Sequence, residues 1–220
     1  MIKDTPFDIN ALKAKRRYEI NKGVKNFEVR SIDPQLYAEE LCEVAFAAYA
    51  GYAKSTRPDI TRQQFINDVQ AWAYYKCYGA FERETDKLCG YAILKRRDNY
   101  IDFTVLKAIP EYESKGVNAA LVRGFLEDYS AFLMNDGYIS DGSRCVNHQT
   151  AFQDYLEKYF GFRKAYCKLH IRYKWWLAPI IACLYPFRKL LRRLDNIGKL
   201  HLVNGLLQME EFTAKRDKHK

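Results

Sequence analysis

The stretch with the clearest potential for chemistry is a polar turn that lies between an alternating apolar segment and a helical repeat. Ile101, Phe103 and Val105 alternate with polar residues and predict a strand, which Pro110 ends because proline has no N–H to give to a ladder. Beyond Gly116, apolar residues recur at helical spacing. Glycine lets backbone approach a ligand, and the first helical turn has N–H groups without partners. The pattern predicts a phosphate site at a helix start, although a plain strand-to-helix connection has the same spacing.

The turn and its flanks resemble motif A of the GNAT N-acyltransferase superfamily. The matching residues are Pro110, Tyr112, Lys115, Gly116 and Leu121. In this family the corresponding loop holds the pyrophosphate of an acyl-coenzyme A, so the resemblance implies acetyl-CoA or another acyl-CoA as co-substrate and no metal. Two positions depart from the family pattern, because Glu113 stands where Gln or Arg is usual and Asn118 where Gly or Ala is usual.

The resemblance implies a coenzyme site that includes the end of the preceding strand, where the pantetheine pairs with exposed backbone groups. The implied cofactor-binding residues are Leu106, Lys107, Ala108, Ser114, Lys115, Gly116, Val117 and Asn118.

The order of predicted elements extends the resemblance to about residues 26–174. Predicted strands cover 27–31, 78–81, 88–94, 100–106, 138–141 and 166–173, and predicted helices cover 34–52, 61–75, 116–135 and 147–159. The order β-α-α-β-β-β-α-β-α-β implies an α/β (α+β) fold with a GNAT-like mixed, mostly antiparallel sheet flanked by helices. A mixed sandwich of unrelated function remains the alternative, because a fold does not settle function.

The resemblance also implies a tyrosine general acid toward the departing thiolate, within Asn-x-x-Ala-x-x-x-Tyr-x-x-x-Gly-Phe. Alignment on Ala151 puts Tyr155 in the tyrosine position, whereas alignment on Gly161-Phe162 puts Glu157 there. We choose Tyr155, for which a tyrosine packed under the sheet is the structural alternative.

The general base is predicted to be a strand carboxylate that faces the cleft. The candidates are Asp102, which faces opposite to its apolar neighbours, and Asp141 on the adjacent predicted strand. A solvated or capping carboxylate is the alternative for both, and proton removal through water is another route. The loop between the first two helices is expected to bind the acceptor through Tyr49, Tyr52 and Arg57, with Asp59 as a further candidate.

Composition favours a globular protein in a reducing compartment. The 220 residues are 48% hydrophobic, and the six cysteines and four histidines are scattered, which favours free thiols and no metal site. The first residues lack the apolar stretch of a signal peptide, so we expect a cytoplasmic protein. Basic residues concentrate at the ends: residues 171–220 contain 11 Lys and Arg against 4 Asp and Glu, a net charge of +7.

The C-terminal part predicts a surface contact. Residues 175–187 are apolar and precede a basic segment, but they fall short of the roughly 20 residues that span a bilayer. Paired tryptophans beside basic residues favour peripheral membrane contact through 175–194, at the inner face of the membrane. Packing on the domain or a homodimer interface is equally consistent, and nucleic acid is less favoured. We therefore expect a basic N-terminal helix (1–25), an acyltransferase domain (26–174) and a basic amphipathic extension (175–220).

The predicted function is transfer of an acyl group, acetyl by the family pattern, from acyl-CoA to an amine or hydroxyl of a small-molecule or sugar acceptor, such as a surface-polysaccharide precursor. Two alternatives stay open. The basic stretch from Lys15 to Gly23 faintly resembles the helix before the GNAT domain of FemAB-type aminoacyl transferases, which use charged tRNA. Glu113 and Asn118 are consistent with a catalytically silent binding or membrane-tethering protein.

Overall fold

The computed structural model describes residues 1–52, 57–142, 151–166, 170–194 and 200–216. Contacts divide the chain into two compact units. The first unit holds residues 1–142 and 151–164 and contains the sheet, and the second contains the helices from residue 165 onward. The N-terminal helix is grouped with the sheet. The three-segment organisation expected from the sequence remains a prediction about domains.

The first unit is built on a six-stranded sheet in which a single pair of neighbouring strands is parallel. The strands are β1 (Ile2–Lys3), β2 (Phe27–Ile32), β3 (Lys76–Glu82), β4 (Leu88–Arg96), β5 (Tyr100–Ala108) and β6 (Tyr138–Ser140). Their order across the sheet is β1-β6-β5-β4-β3-β2, and the parallel pair is β5 with β6. The predicted mixed, mostly antiparallel sheet flanked by helices is confirmed.

Helices cover both faces of this sheet. They are α1 (Ala14–Asn26), α2 (Ala38–Ala50), α3 (Arg62–Val69), α4 (Pro110–Glu113), α5 (Val117–Asp128), α6 (Ser130–Met134) and α7 (Ala151–Phe160). One buried cluster joins the sheet to α1, α5 and α7, and the other joins it to α2 and α3. Residues 88–94 of β4 are therefore buried without a break, as expected for a strand that is covered on both faces.

Helix α1 contains a glycine, Gly23, at a position where a glycine would ordinarily end a helix. The helix continues through Gly23 to Asn26, and Gly23 is buried. Glycine costs about 0.5–1 kcal/mol relative to alanine inside a helix, so a packing reason is needed. That reason is close contact with Gly116, the residue that begins α5.

The predicted strand over 166–173 is wrong for the part of it that the structure describes. Tyr166 and residues 170–173 have no strand conformation. The edge next to β6 is instead taken by β1, which pairs antiparallel with it. The amide of Ile2 donates to the carbonyl of Arg163 at 2.9 Å, and the amide of Arg163 donates back at 2.8 Å. Residues 147–150 of the predicted helix 147–159 lie outside the described residues.

The second unit is a small helical assembly. It contains α8 (Leu177–Leu184), α9 (Arg188–Leu191) and α10 (Leu200–Arg216), with short 3₁₀ turns at Tyr185–Phe187 and Arg192–Leu194. Among the described residues of this unit, Ile181 and Leu207 are the buried apolar ones, and Asn204 is buried as well. The Asn204 side chain donates to the Leu191 carbonyl at 3.0 Å. None of the helices described is long and apolar enough to cross a membrane.

Candidate active site

The start of α5 has backbone donors that are not used in the helix. Gly116 is the N-cap and has a φ of 93°, in the left-handed region that glycine enters without strain. The amides of Lys115 and Gly116 are used inside the turn, where each donates at 3.0 Å to a carbonyl three residues earlier. The amides of residues 117–119 have no backbone acceptor among the described residues. These donors, at the positive end of a twelve-residue helix, can bind a phosphate.

Helix α1 holds the turn by its carbonyl groups and leaves the first-turn amides free. Lys22 Nζ donates to the Ser114 carbonyl at 2.8 Å, and Asn26 Nδ2 donates to the Lys115 carbonyl at 3.0 Å. Between these two bonds, Gly23 contacts the backbone of Gly116. The turn is therefore positioned by a distant part of the chain, since Lys22 and Ser114 are 92 residues apart in the sequence.

The side chain of Lys115, predicted to contact the cofactor, forms an ion pair instead of projecting freely. Its ammonium lies 2.7 Å from Glu82 Oε1 at the end of β3, and Thr85 Oγ1 donates to the other carboxylate oxygen at 2.9 Å. The hydrogen bonds from Lys115 and Thr85 hold the pKa of Glu82 below its ordinary value. In this structure, phosphate contacts at the turn would come from backbone N–H groups.

Strand β5 loses its neighbour halfway along its length. The parallel pairing runs from Tyr100↔Tyr138 to Asp102↔Ser140 and then stops. Directly after it, Thr104 forms a bulge, because Ile93 pairs with Val105 and the next residue of β4 pairs with Phe103. Past the bulge, the edge of β5 on this side has no strand partner among the described residues. Its backbone groups are free to pair with an extended ligand.

The end of β5 brings predicted cofactor and acceptor residues together. Lys107 Nζ donates to the Tyr52 hydroxyl at 2.5 Å and lies 4.8 Å from the centre of that ring. It also lies 5.2 Å from the Tyr49 ring centre, and the two rings contact each other with centroids 5.7 Å apart. Burial raises the pKa of Tyr49. A cation beside two aromatic rings, on the same strand as the free edge, is suited to binding a polar acceptor.

Arg57, which was predicted to bind the acceptor, donates hydrogen bonds to backbone carbonyls. Its guanidinium donates to the Ala50 carbonyl at 2.9 Å and to the Tyr52 carbonyl at 3.4 Å. It therefore satisfies carbonyls at the negative C-terminal end of α2. Its contribution to the cluster of Lys107, Tyr49 and Tyr52 is to hold the backbone that carries Tyr52.

Tyr155 of α7 packs in an aromatic group next to β5. Its ring contacts Phe152, Tyr159 and Phe160 at centroid distances of 6.0, 5.0 and 5.6 Å. Phe152 in turn contacts Phe103 of β5 at 6.0 Å. Burial raises the pKa of Tyr155, with smaller contributions from Tyr159 and Glu19, so the hydroxyl keeps its proton at neutral pH. A hydroxyl that stays protonated can act as a proton donor.

The two predicted bases lie next to each other at the end of the parallel pairing but have other partners. Asp102 accepts a hydrogen bond from Arg97 Nε at 2.8 Å, and its side chain is 20% exposed. It is five residues before Lys107, or roughly 16 Å along an extended strand. Asp141 accepts a 3.4 Å hydrogen bond from Gln153 of α7, and its amide donates to the Met1 carbonyl at 2.9 Å. Neither carboxylate belongs to the cluster around Lys107.

Several residues with a positioning role were absent from the sequence-based site. These are Glu19, Lys22, Gly23, Asn26, Glu82 and Tyr159. Glu19 accepts a hydrogen bond from the Tyr159 hydroxyl and so joins α1 to α7. The sequence contains one indication of this packing, Gly23, because a glycine inside a helical pattern often marks close packing.

Two features of the site fit the coenzyme that the sequence suggests. Free N–H groups at the α5 start suit a pyrophosphate, and the unpaired edge of β5 suits the amides of a pantetheine chain. The exposed Glu113 adds a negative charge to the turn, and Asn118 is half-buried. In the part of the chain that the structure describes, no group of three or more His, Cys, Asp or Glu side chains could hold a metal ion.

Comparison with known proteins gives similar structures but no family. No protein-family model matches the chain, and no curated protein matches it. The PaiA N-acetyltransferase from Thermoplasma acidophilum, solved in complex with coenzyme A, is 22% identical, with 60% of this chain and 87% of that chain covered and a TM-score of 0.42.

Two further structures are similar over a larger share of the chain. A ribosomal-protein-alanine N-acetyltransferase from Brucella melitensis biovar Abortus is 15% identical, with 67% of this chain and 99% of that chain covered and a TM-score of 0.49. An acetyltransferase from Trypanosoma brucei is 16% identical, with 67% and 100% covered and a TM-score of 0.45. All three TM-scores are below 0.5, so the case for a function rests on this chain's own residues.

Proposed function

We propose that this protein is an acyltransferase that moves an acyl group, in the simplest case acetyl, from acyl-CoA to an amine or hydroxyl acceptor. The main support for the proposal is that unpaired backbone groups lie at both ends of the connection between β5 and α5. Among the described residues, the pairing of β5 with β6 ends at Asp102, and the N–H groups of residues 117–119 at the start of α5 have no backbone acceptor. An extended chain that ends in a pyrophosphate fits both surfaces.

The residues that would hold the coenzyme follow from these two surfaces. Amides at Val117 and Asn118 would donate to the pyrophosphate, with Gly116 keeping the backbone open. Backbone groups of Leu106, Lys107 and Ala108 would pair with the pantetheine, and Ser114 and Lys115 would shape the turn. When bound, the coenzyme supplies an activated acyl thioester.

The chain's own catalytic contribution would be positioning and proton transfer. Tyr155 is the proposed proton donor to the departing thiolate, because its aromatic group contacts β5 through Phe152 and Phe103 and its hydroxyl carries a proton at neutral pH. Asp102 and Asp141 are the proposed bases for the acceptor. Each accepts a hydrogen bond from a neighbouring side chain and lies away from Lys107, so a chain of water molecules would have to carry the proton to it.

The acceptor would bind beside Lys107, Tyr49 and Tyr52. A ring pair and an ammonium suit a small polar molecule, for example a sugar precursor of a surface polysaccharide, whose rings and hydroxyls pack on aromatic faces. The proposal places the protein in the cytoplasm, with residues 175–194 in peripheral contact with the inner face of the membrane, where such a precursor is assembled.

Calorimetric titration with coenzyme A and acetyl-CoA tests the proposal, using Asn118→Asp and Asn118→Ala as a matched pair. An aspartate in the first turn stabilises a helix but repels a phosphate. We expect Asn118→Asp to keep or raise the melting temperature and to weaken binding about tenfold or more, as two charges at close range require. Asn118→Ala should bind as well as the native chain. No binding of either ligand by the native protein at millimolar concentration contradicts the proposal.

A second candidate is aminoacyl transfer from charged tRNA. It is favoured by the basic helix α1, which is joined to the turn by Lys22 and Asn26 and would place cations beside it. A protein that ignores coenzyme A but transfers an aminoacyl group from charged tRNA would support this candidate. A third candidate, a silent binding protein, predicts neither activity and is consistent with the Lys115–Glu82 pair occupying the turn.

A further inference from the structure

A continuous apolar stripe is exposed on the second unit. It runs along α8, α9 and the 3₁₀ turns that follow each of them, and its members recur every three or four residues, the spacing of one helix face. These members are Trp176, Ile180, Cys183, Phe187, Leu190 and Leu194. Apart from Cys183, which is also exposed, their exposed fractions lie between 40% and 59%. Trp175, next to the first member, is 87% exposed.

The stripe is not the face that packs inside the second unit. The buried side of α8 is formed by Ile181, which is 4% exposed, and α10 contributes Leu207, which is 1% exposed. Leu177 and Leu184 are half-buried at helical spacing from Ile181, on the same side. This segment therefore has two apolar faces, of which one is used within the unit and the other is left open.

The charges around the stripe have one sign. Residues 171–194 contain six Lys and Arg and no Asp or Glu. Two acidic residues of α10 lie close by, but Glu210 accepts from the Tyr173 hydroxyl at 2.8 Å and Glu211 pairs with Arg192 at 2.6 Å. Within the described residues, Lys189 and Arg193 form no ion pair, and both side chains are exposed.

We propose that this stripe, with Lys189 and Arg193 beside it, docks on an anionic lipid bilayer so that α8 and α9 lie in the plane of the interface. Apolar side chains of the stripe enter the headgroup boundary, the tryptophans lie at the depth that amphipathic rings prefer, and the cations meet anionic headgroups. A second copy of the chain is the other apolar partner available, but face-to-face pairing would bring two sets of unpaired cations together.

This inference deepens the membrane contact of residues 175–194 that belongs to the proposed function, by naming the side chains and the lipid charge. It does not depend on acyl transfer, because the stripe is built from the second unit alone. Its test therefore measures lipid binding without any activity assay, so failure of one proposal is distinguishable from failure of the other. The full chain is sedimented with vesicles of phosphatidylcholine containing about 30% phosphatidylglycerol, and with vesicles of phosphatidylcholine alone.

Three variants make the test specific. Phe187→Ser with Leu190→Ser removes two exposed members of the stripe, and Lys189→Glu with Arg193→Glu reverses the free cations. Leu36→Ser is the matched control, because Leu36 is 78% exposed in the first unit. Circular dichroism melting checks that each variant is folded; if the double serine variant is not, Phe187→Tyr with Leu190→Gln replaces it.

We expect the native protein to sediment with anionic vesicles and to stay in solution with neutral ones. The double serine variant should lower the partition coefficient at least about tenfold, since each side chain loses apolar burial. The charge-reversed variant should lose the preference for anionic vesicles, and Leu36→Ser should behave as the native chain. Native protein that stays in solution with both vesicles overturns the proposal. So does a native dimer that the serine variant dissociates in sedimentation velocity, because a second copy then covers the stripe.

Discussion

Gly23 and Gly116 lie in direct backbone contact, although they are 93 positions apart in the chain. A Cβ on Gly23 would lie 2.4 Å from the Gly116 carbonyl oxygen, and a Cβ on Gly116 would lie 2.9 Å from the Gly23 Cα. No real Cβ reaches either distance without a backbone shift. The contact joins the last turn of α1 to the N-cap of α5. The proposed phosphate site therefore depends on a helix outside the strand-turn-helix segment that carries its amides.

Replacing Gly23 by alanine tests this contact. Alanine favours a helix by about 0.5–1 kcal/mol over glycine, but the close approach should outweigh that gain, and overpacking costs about 1–3 kcal/mol. We expect a net loss of stability in urea unfolding followed by circular dichroism, together with weaker coenzyme binding as the turn is displaced.

Gly205→Ala is the control for Gly23→Ala. Gly205 is also inside a helix, α10, but a Cβ there meets nothing within 4 Å. It should raise the stability of its helix by about 0.5–1 kcal/mol. A Gly23→Ala protein that gains stability in the same way would show that α1 does not press on the turn.

The Glu82–Lys115 pair predicts a pH-dependent contribution to stability. The folded-state pKa of Glu82 lies below its ordinary value of 4.5, so the pair stabilises the fold above that value and the stabilisation is lost as pH falls through the folded pKa. We expect native protein to exceed Glu82→Gln in unfolding free energy at pH 7, with a difference that shrinks below about pH 4.5. A difference that stays constant down to pH 3 contradicts this account.

Tyr155→Phe separates proton donation from packing. The ring keeps its contacts with Phe152 and Phe160, so the melting temperature should change little. Loss of the proton donor should lower kcat by about a hundredfold or more, with the Kd for acetyl-CoA unchanged. In the native enzyme, the raised pKa of Tyr155 keeps the donor protonated past pH 10, so this group should cause no alkaline decline below that pH.

Tyr159→Phe is the comparison for Tyr155→Phe. It removes the hydrogen bond to Glu19 that joins α7 to α1, so its effect should fall on stability. If Tyr159→Phe lowers kcat as strongly as expected for Tyr155→Phe, and Tyr155→Phe stays active, the proton donor is Tyr159.

Lys107→Met tests the acceptor site. Methionine keeps the length of the side chain but removes the charge that contacts Tyr52 and Tyr49. The backbone of Lys107, which is the part proposed to pair with the coenzyme, is unchanged. We expect KM for the acceptor to rise about tenfold while the Kd for acetyl-CoA stays within twofold of the native value, the pattern of lost acceptor binding. The reverse pattern would assign the lysine side chain to the coenzyme.

The sequence by itself determined the elements whose signals are local. The alternation of Ile101, Phe103 and Val105 predicted β5, although the bulge at Thr104 shifts the register between Phe103 and Val105. The predicted helix start at Thr61 is confirmed by α3, where Thr61 also forms a capping box with Gln64. Such patterns can be recognised in a sequence because helix caps and strand faces are determined by residues that are close together in the chain.

The tertiary structure decided everything that joins distant segments. Three contacts could not be read from local pattern: Gly23 on Gly116, Glu82 with Lys115, and β1 at the edge beside β6. Each partner has an ordinary local role, and the contact arises where two packed surfaces meet. The sequence thus determined that a phosphate-binding turn could form before α5. Only the packing of α1 and β3 against it decided which of its groups are occupied and which are free, because side chains far apart in the chain compete for the same donors and acceptors.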